Sequence, residues 1–95
     1  MHFDLIYSHL KSLNSQTALL EACDWDEGFL ASVVQEVDEY LRFLNPEYFK
    51  SWKEFENDVS KHLTNKFNKR ISDIIINIID SNRKEIKDLM ELPEQ

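Results

Sequence analysis

The feature that most constrains this chain is an apolar stripe that keeps its phase from Trp52 to Ile79. Apolar residues fall at positions 52, 55, 59, 63, 67, 71, 74, 75, 78 and 79. Steps of three and four are the spacing of one helix face. Ser51 and Glu54 form a capping box, in which each side chain satisfies a free backbone N–H at the helix start. From Ile71 the stripe widens to include Ile76. A helix that is apolar over most of its girth belongs in the middle of a bundle. The spacing therefore predicts a long central helix from 46 or 51 to 80. The run Ile74-Ile75-Ile76-Asn77-Ile78-Ile79 also permits a buried strand, being short and β-branched. No other segment alternates at period two, so such a strand has no partner. Asp80-Ser81-Asn82 offers a break, with Asn82 capping a last helix over 82–92.

Earlier segments read as shorter helices. Phe3, Ile6, Leu10 and Leu13 mark a helix over 3–13, closed by Asn14-Ser15. Residues 16–22 suit a short helix with Leu19 and Leu20 inward. Asp24 and Glu27 read as a second capping box opening a helix over 25–44, with Trp25, Phe29, Val33, Val37, Tyr40 and Leu44 along one stripe. Asn45-Pro46 is the clearest turn signal. Tyr48, Phe49 and Trp52 read as an aromatic corner of the core. The chain of 95 residues holds one Gly and two Pro, too few breakers for many short strands. The expected fold is one all-α domain, a compact bundle of four to five helices with a long central C-terminal helix. Its core is expected to hold Phe3, Ile6, Leu10, Phe29, Val33, Val37, Phe55, Val59, Leu63, Phe67, Ile71, Ile74, Ile75 and Ile78.

Charge narrows the function. The net charge is −7, and an acidic surface repels the phosphates of nucleic acid. Residues 1–50 carry nine acidic and three basic side chains, whereas residues 51–95 carry nine and eight. Between Ser12 and Leu41 stand seven acidic residues and no Lys or Arg. Asp24, Asp26 and Glu27 surround Trp25, and Glu36, Asp38 and Glu39 follow beside Tyr40. These eight residues are the expected partner-binding set, facing a basic protein. The same acids also read as helix caps and a solvated ridge. Lys61, His62, Lys66, Lys69 and Arg70 form a basic stretch that reads as pairing with the acidic first half. Asp58 and His62, four apart, suit an ion pair.

Other classes find no support in the residues. No phosphate loop, Cys-x-x-Cys, His-Glu-x-x-His or Gly-x-Ser-x-Gly occurs, so the reading is not an enzyme, with no catalytic, cofactor-binding or metal site. Residues 24–27 lack the alternating oxygen ligands and central Gly of a calcium loop. His2 and His9 have no third ligand nearby. The lone Cys23, among acids, keeps a raised pKa and reads as a core residue. No apolar run reaches membrane-span length, and Met-His-Phe-Asp lacks a signal peptide's basic n-region. The expectation is a soluble, cytoplasmic chain.

Small size, acidity, one reduced Cys and an all-helical pattern together resemble the bacterial immunity proteins that neutralise nuclease toxins of the colicin or contact-dependent inhibition type. The Asp-Ser-Pro-containing signature of the DNase-colicin immunity proteins does not occur here, so the resemblance carries over no residue roles. It implies a nuclease toxin as partner, whose phosphate-holding site is basic and attracts an acidic protein. The alternative is a helical homodimeric scaffold or adaptor, including an antitoxin or secretion chaperone.

Overall fold

A computed structural model describes residues 10, 12–44 and 48–84. Among them are four helices: α1 (Leu13–Ala22), α2 (Glu27–Arg42), α3 (Trp52–Lys66) and α4 (Lys69–Ser81). No strand occurs among the described residues, so the isoleucine run is helical. Of the expected helix over 3–13, only its last residues fall within the described part, and Phe3, Ile6, His2 and His9 lie outside it. So do Asn45-Pro46 and most of the expected helix over 82–92, of which Arg83 and Lys84 are helical.

The stripe from 52 to 79 belongs to two helices, not one. Phe67 ends α3, its N–H donating to Leu63 O at 2.9 Å. Asn68 is extended, and its side-chain Oδ1 accepts from Ile71 N–H at 2.9 Å, capping α4. The two helices then run antiparallel, because only Phe67 and Asn68 separate them and Ser72 of α4 meets Ser60 of α3. Asn68 supplies the cap without an acid three residues later, so it carries no capping-box signal. The expected long C-terminal helix is thus a helical hairpin with a tight turn. Each arm brings its own half of the stripe to the seam. Trp52, Phe55, Val59 and Leu63 are buried from α3, and Ile71, Ile75, Ile78 and Ile79 from α4. Asp73, Asn77 and Asp80 remain exposed, so α4 is strongly two-sided and not apolar all round. Ser72 is fully buried where α4 meets α3, with its Oγ 3.1 Å from both Ser60 O and Ser60 Oγ.

The remaining helices close the core over this hairpin. Leu10, Leu19, Ala22 and Cys23 are buried with Val33, Val37 and Leu41 in a single apolar cluster with the hairpin. Phe29, Phe67 and Ile74 pack against it while partly buried. Phe29 meets Phe67 edge-on, ring centres 5.7 Å apart. Trp52 and Phe49 both stand edge-on to Phe55, which fits the expected aromatic corner, although Tyr48 is 76% exposed.

Two further boundaries differ from the expectation. Asn14-Ser15 lies in the first turn of α1, because Ser12 is the cap and its Oγ accepts from Ser15 N–H at 3.4 Å. Small polar residues fit a first turn as readily as a helix end. Asp26, not Asp24, caps α2, accepting from Phe29 N–H at 3.1 Å. At the other end, Ser51 accepts from Glu54 N–H as expected. The break at 80–82 is also present: Asn82 caps α4 and its side-chain Nδ2 donates to Ile78 O at 2.8 Å.

The turn at Asn68 has a mutational signature of definite sign. In a continuous helix Asn68→Ala would stabilise, since Ala is the better helix former. At an N-cap it removes a hydrogen bond, and a loss of about 1 kcal/mol is expected in urea unfolding. A gain in stability would mean that α3 and α4 are one helix.

Candidate partner-binding surface

The eight expected contact residues divide into two groups with different surroundings. The first lies where α1 hands over to α2. Cys23 caps α1, and Asp24 and Trp25 follow with φ of 56° and 62°. Asp24 N–H donates to Glu21 O at 3.1 Å and Trp25 N–H to Leu20 O at 2.8 Å. This is the Schellman arrangement, with Asp24 in the left-handed position that Gly usually takes. A bulky residue in the left-handed region is an outlier, and Trp25 continues there. Asp26 N–H then donates to Cys23 O at 3.1 Å, and α2 begins. The result is a stapled knob. Trp25 stands 63% exposed at its tip, and Asp24, Asp26 and Glu27 are exposed around it. None of these three acids makes an ion pair among the described residues.

Beneath the knob, Cys23 is buried. Burial first, then the charges of Asp26 and Asp24, push its thiol pKa up. The direction matches the expectation, but burial outweighs the acidic neighbours as the cause.

The second group, on α2, does not form one acidic ridge. At 100° per residue, Glu36 and Asp38 point about 160° apart around the helix. Glu36 turns toward α3, where its carboxylate meets His62 Nε2 at 2.9 Å and Lys66 Nζ at 3.7 Å. The His62 hydrogen bond, helped by the Lys66 charge, holds the Glu36 carboxyl below its usual range. Asp38 pairs with Arg42, four residues on along the same helix, at 2.8 Å. Glu39 accepts from Gln35 Nε2 at 3.1 Å. Tyr40 is half-buried: its ring stacks on His62 with centres 4.1 Å apart, and its hydroxyl donates to Asp58. Burial, and then that bond to a carboxylate, drive the Tyr40 pKa upward.

This overturns the expected Asp58–His62 pair. Those residues share a face of α3, but each finds a partner on α2 instead, Asp58 in Tyr40 and His62 in Glu36. The expected pairing of the basic stretch with the acidic first half is present, through Lys66–Glu36 and through Arg70–Glu21 at 3.2 Å. Sequence patterning missed a second exposed aromatic site: Phe43 is 82% exposed just past α2, and Tyr48 stands beyond it. Phe43 falls off the apolar stripe of its helix, which was the available signal. Tyr48 borders an open cleft of about 470 Å³ with Leu44, Phe49, Glu54 and Asp58 among its walls. Among the described residues no cluster of His, Cys, Asp and Glu is arranged to hold a metal ion, and no helix is long and apolar enough to cross a membrane.

Two substitutions probe these groups. Asp24→Gly relieves a left-handed side chain and is expected to stabilise the fold by about 0.5–1 kcal/mol in thermal unfolding; a loss would contradict the positive φ. Glu36→Gln tests the tie between α2 and α3. A carboxyl whose folded pKa is depressed contributes stability above its unfolded value, and that contribution disappears as pH falls through the depressed value. Wild type should therefore exceed Glu36→Gln by less than about 1 kcal/mol at neutral pH, the pair being partly solvated. The two proteins should converge as the pH falls through the depressed Glu36 value, which urea titrations at a series of acidic pH values can follow. No protein-family model, curated protein or solved structure matches this chain.

Proposed function

We propose that this chain is a small helical protein-binding module that neutralises a basic, nucleic-acid-cleaving protein, docking through the knob at 24–27. One observation carries the reading: Trp25 is exposed on a strained left-handed backbone, ringed by acids that make no ion pair among the described residues. An exposed aromatic beside uncompensated charge is the composition of an interface hot spot. Strain held in place by surrounding bonds is a mark of functional segments. A basic nuclease site is complementary to such a surface, and opposite charges speed encounter. Glu36 and Asp38 enter this reading as positioning residues, because their charge is matched within the fold. Glu39 extends the docking surface from the outer face of α2.

A second reading, a homodimeric scaffold, draws on the exposed rings of Phe43 and Tyr48, the latter bordering an open cleft. Sedimentation across a dilution series separates the two. A dimer that persists at nanomolar concentration and buries Phe43 favours the scaffold.

The docking reading is tested on the nuclease that co-purifies from the native cell. Trp25→Ala is expected to weaken binding by at least about 2 kcal/mol. Asp24→Asn with Glu27→Gln should slow association and flatten its salt dependence. Reversal of Asp38 and Glu39 to Lys should cost less than either. If no basic protein co-purifies, or if the captured nuclease stays active in the complex, the proposal is wrong.

A further inference from the structure

The open cleft beside Tyr48 shares no residue with the knob at 24–27. Its volume of about 470 Å³ falls within the range of about 300–1,000 Å³ typical of small-ligand sites. From α3 it is lined by Glu54, Asp58 and Lys61, at i, i+4 and i+7, which share about 60° of arc on one helix face. Its aromatic lining is Tyr48, which is exposed, and Phe49, whose ring is held edge-on to Phe55 with centres 5.7 Å apart. Asp58 is fixed from α2, since its Oδ2 accepts from the Tyr40 hydroxyl. Glu54, Asp58 and Lys61 make no ion pair among the described residues. Two carboxylates and one ammonium give this lining a net charge of −1. Carboxylates beside an exposed ring are the surroundings that receive an organic cation. A guanidinium fits them better than an ammonium, because its planar fork grips a carboxylate with two hydrogen bonds while its face stacks on a ring.

We propose that this cleft takes the guanidinium of an arginine side chain, presented by the basic protein that the knob docks. The inference rests on the docking reading only for the source of that arginine. Charge selects the occupant. One cation matches the net charge of the lining, and Lys61 opposes a second. A second copy of this chain would bring a net charge of −7 to an acidic lining, and like charges repel. The Tyr40 hydroxyl holds Asp58 in place before the ligand arrives, so less freedom is lost when it binds.

The test is an NMR titration with Nα-acetylarginine amide, read at the Tyr48 ring and the Asn57 side-chain amide. Saturable shifts with a midpoint on the order of 1 mM are expected. The citrulline analogue, neutral and nearly isosteric, should leave both signals in place. Glu54→Gln with Asp58→Asn should raise the midpoint about tenfold, and Tyr48→Ala about threefold. Lys61→Gln should lower it about threefold, a gain that a merely structural role for Lys61 does not supply. Circular dichroism checks that each variant folds; should the double variant fail to, the opposite effects of Glu54→Gln and Lys61→Gln decide. The inference is overturned if the cleft signals stay still, if citrulline moves them equally, or if the midpoint ignores Glu54 and Lys61. It is also overturned if dilution alone moves those signals, since the occupant is then a second copy. The probe requires no nuclease, so failure here and failure of the docking reading are told apart.

Discussion

The seam between α3 and α4 is the contact on which the rest of the molecule depends. It buries four large side chains from each arm, and it is the longest helix–helix interface among the described residues. At roughly 1.5–3 kcal/mol for each fully buried large apolar side chain, this seam supplies much of the drive to fold. Within it Ser72 and Ser60 meet, two small side chains whose hydroxyls lie 3.1 Å apart, the Ser72 hydroxyl also reaching Ser60 O. A larger residue at 72 would push the arms apart, since interiors are close-packed. α1 then covers the isoleucine face of α4. α2 attaches through the shared core, the Phe29–Phe67 contact and the polar ties of Glu36 and Tyr40.

The helical class, the capped start at Ser51, the end of α4 near Asn82 and most of the core were legible from periodicity and composition. The reversal at Phe67-Asn68 was not, for a definite reason. A turn of two residues, with Phe67 half-buried across it, leaves the steps of three and four unbroken. Periodicity reports which residues face the core, and it is blind to whether the helix axis has reversed between them. The same blindness placed Trp25 on a helical stripe, because its spacing to Phe29 is right for a helix that in fact begins two residues later. The choice between Asp24 and Asp26 as cap depends on the left-handed backbone after Cys23, and nothing in residue type announces that for Asp and Trp.

Charge was legible in amount but not in direction. The surplus of acids between Ser12 and Leu41 is real, yet Glu21 and Glu36 face the basic stretch of α3 and α4 across the fold. Helix packing thus converts part of a one-sided charge distribution into internal pairs, while Asp24, Asp26 and Glu27 around Trp25 make no ion pair among the described residues. Pairing between residues far apart in sequence took precedence over pairing at four-residue spacing for His62 and Asp58, where a facing helix offered partners of better geometry.

The stapled junction after α1 has a consequence in conformational entropy. A flexible loop that carries a tryptophan loses backbone freedom when something grips the ring, at about 1–2 kcal/mol for each residue fixed. Here Asp24, Trp25 and Asp26 each donate a backbone N–H to a carbonyl of the preceding helical end or cap. That freedom is surrendered during folding, so contact with the indole finds a backbone already set. The side chain alone is left to order, with two rotatable bonds. The molecule holds this exposed indole on one of its more constrained stretches of chain, an arrangement that leaves little backbone entropy to lose on association.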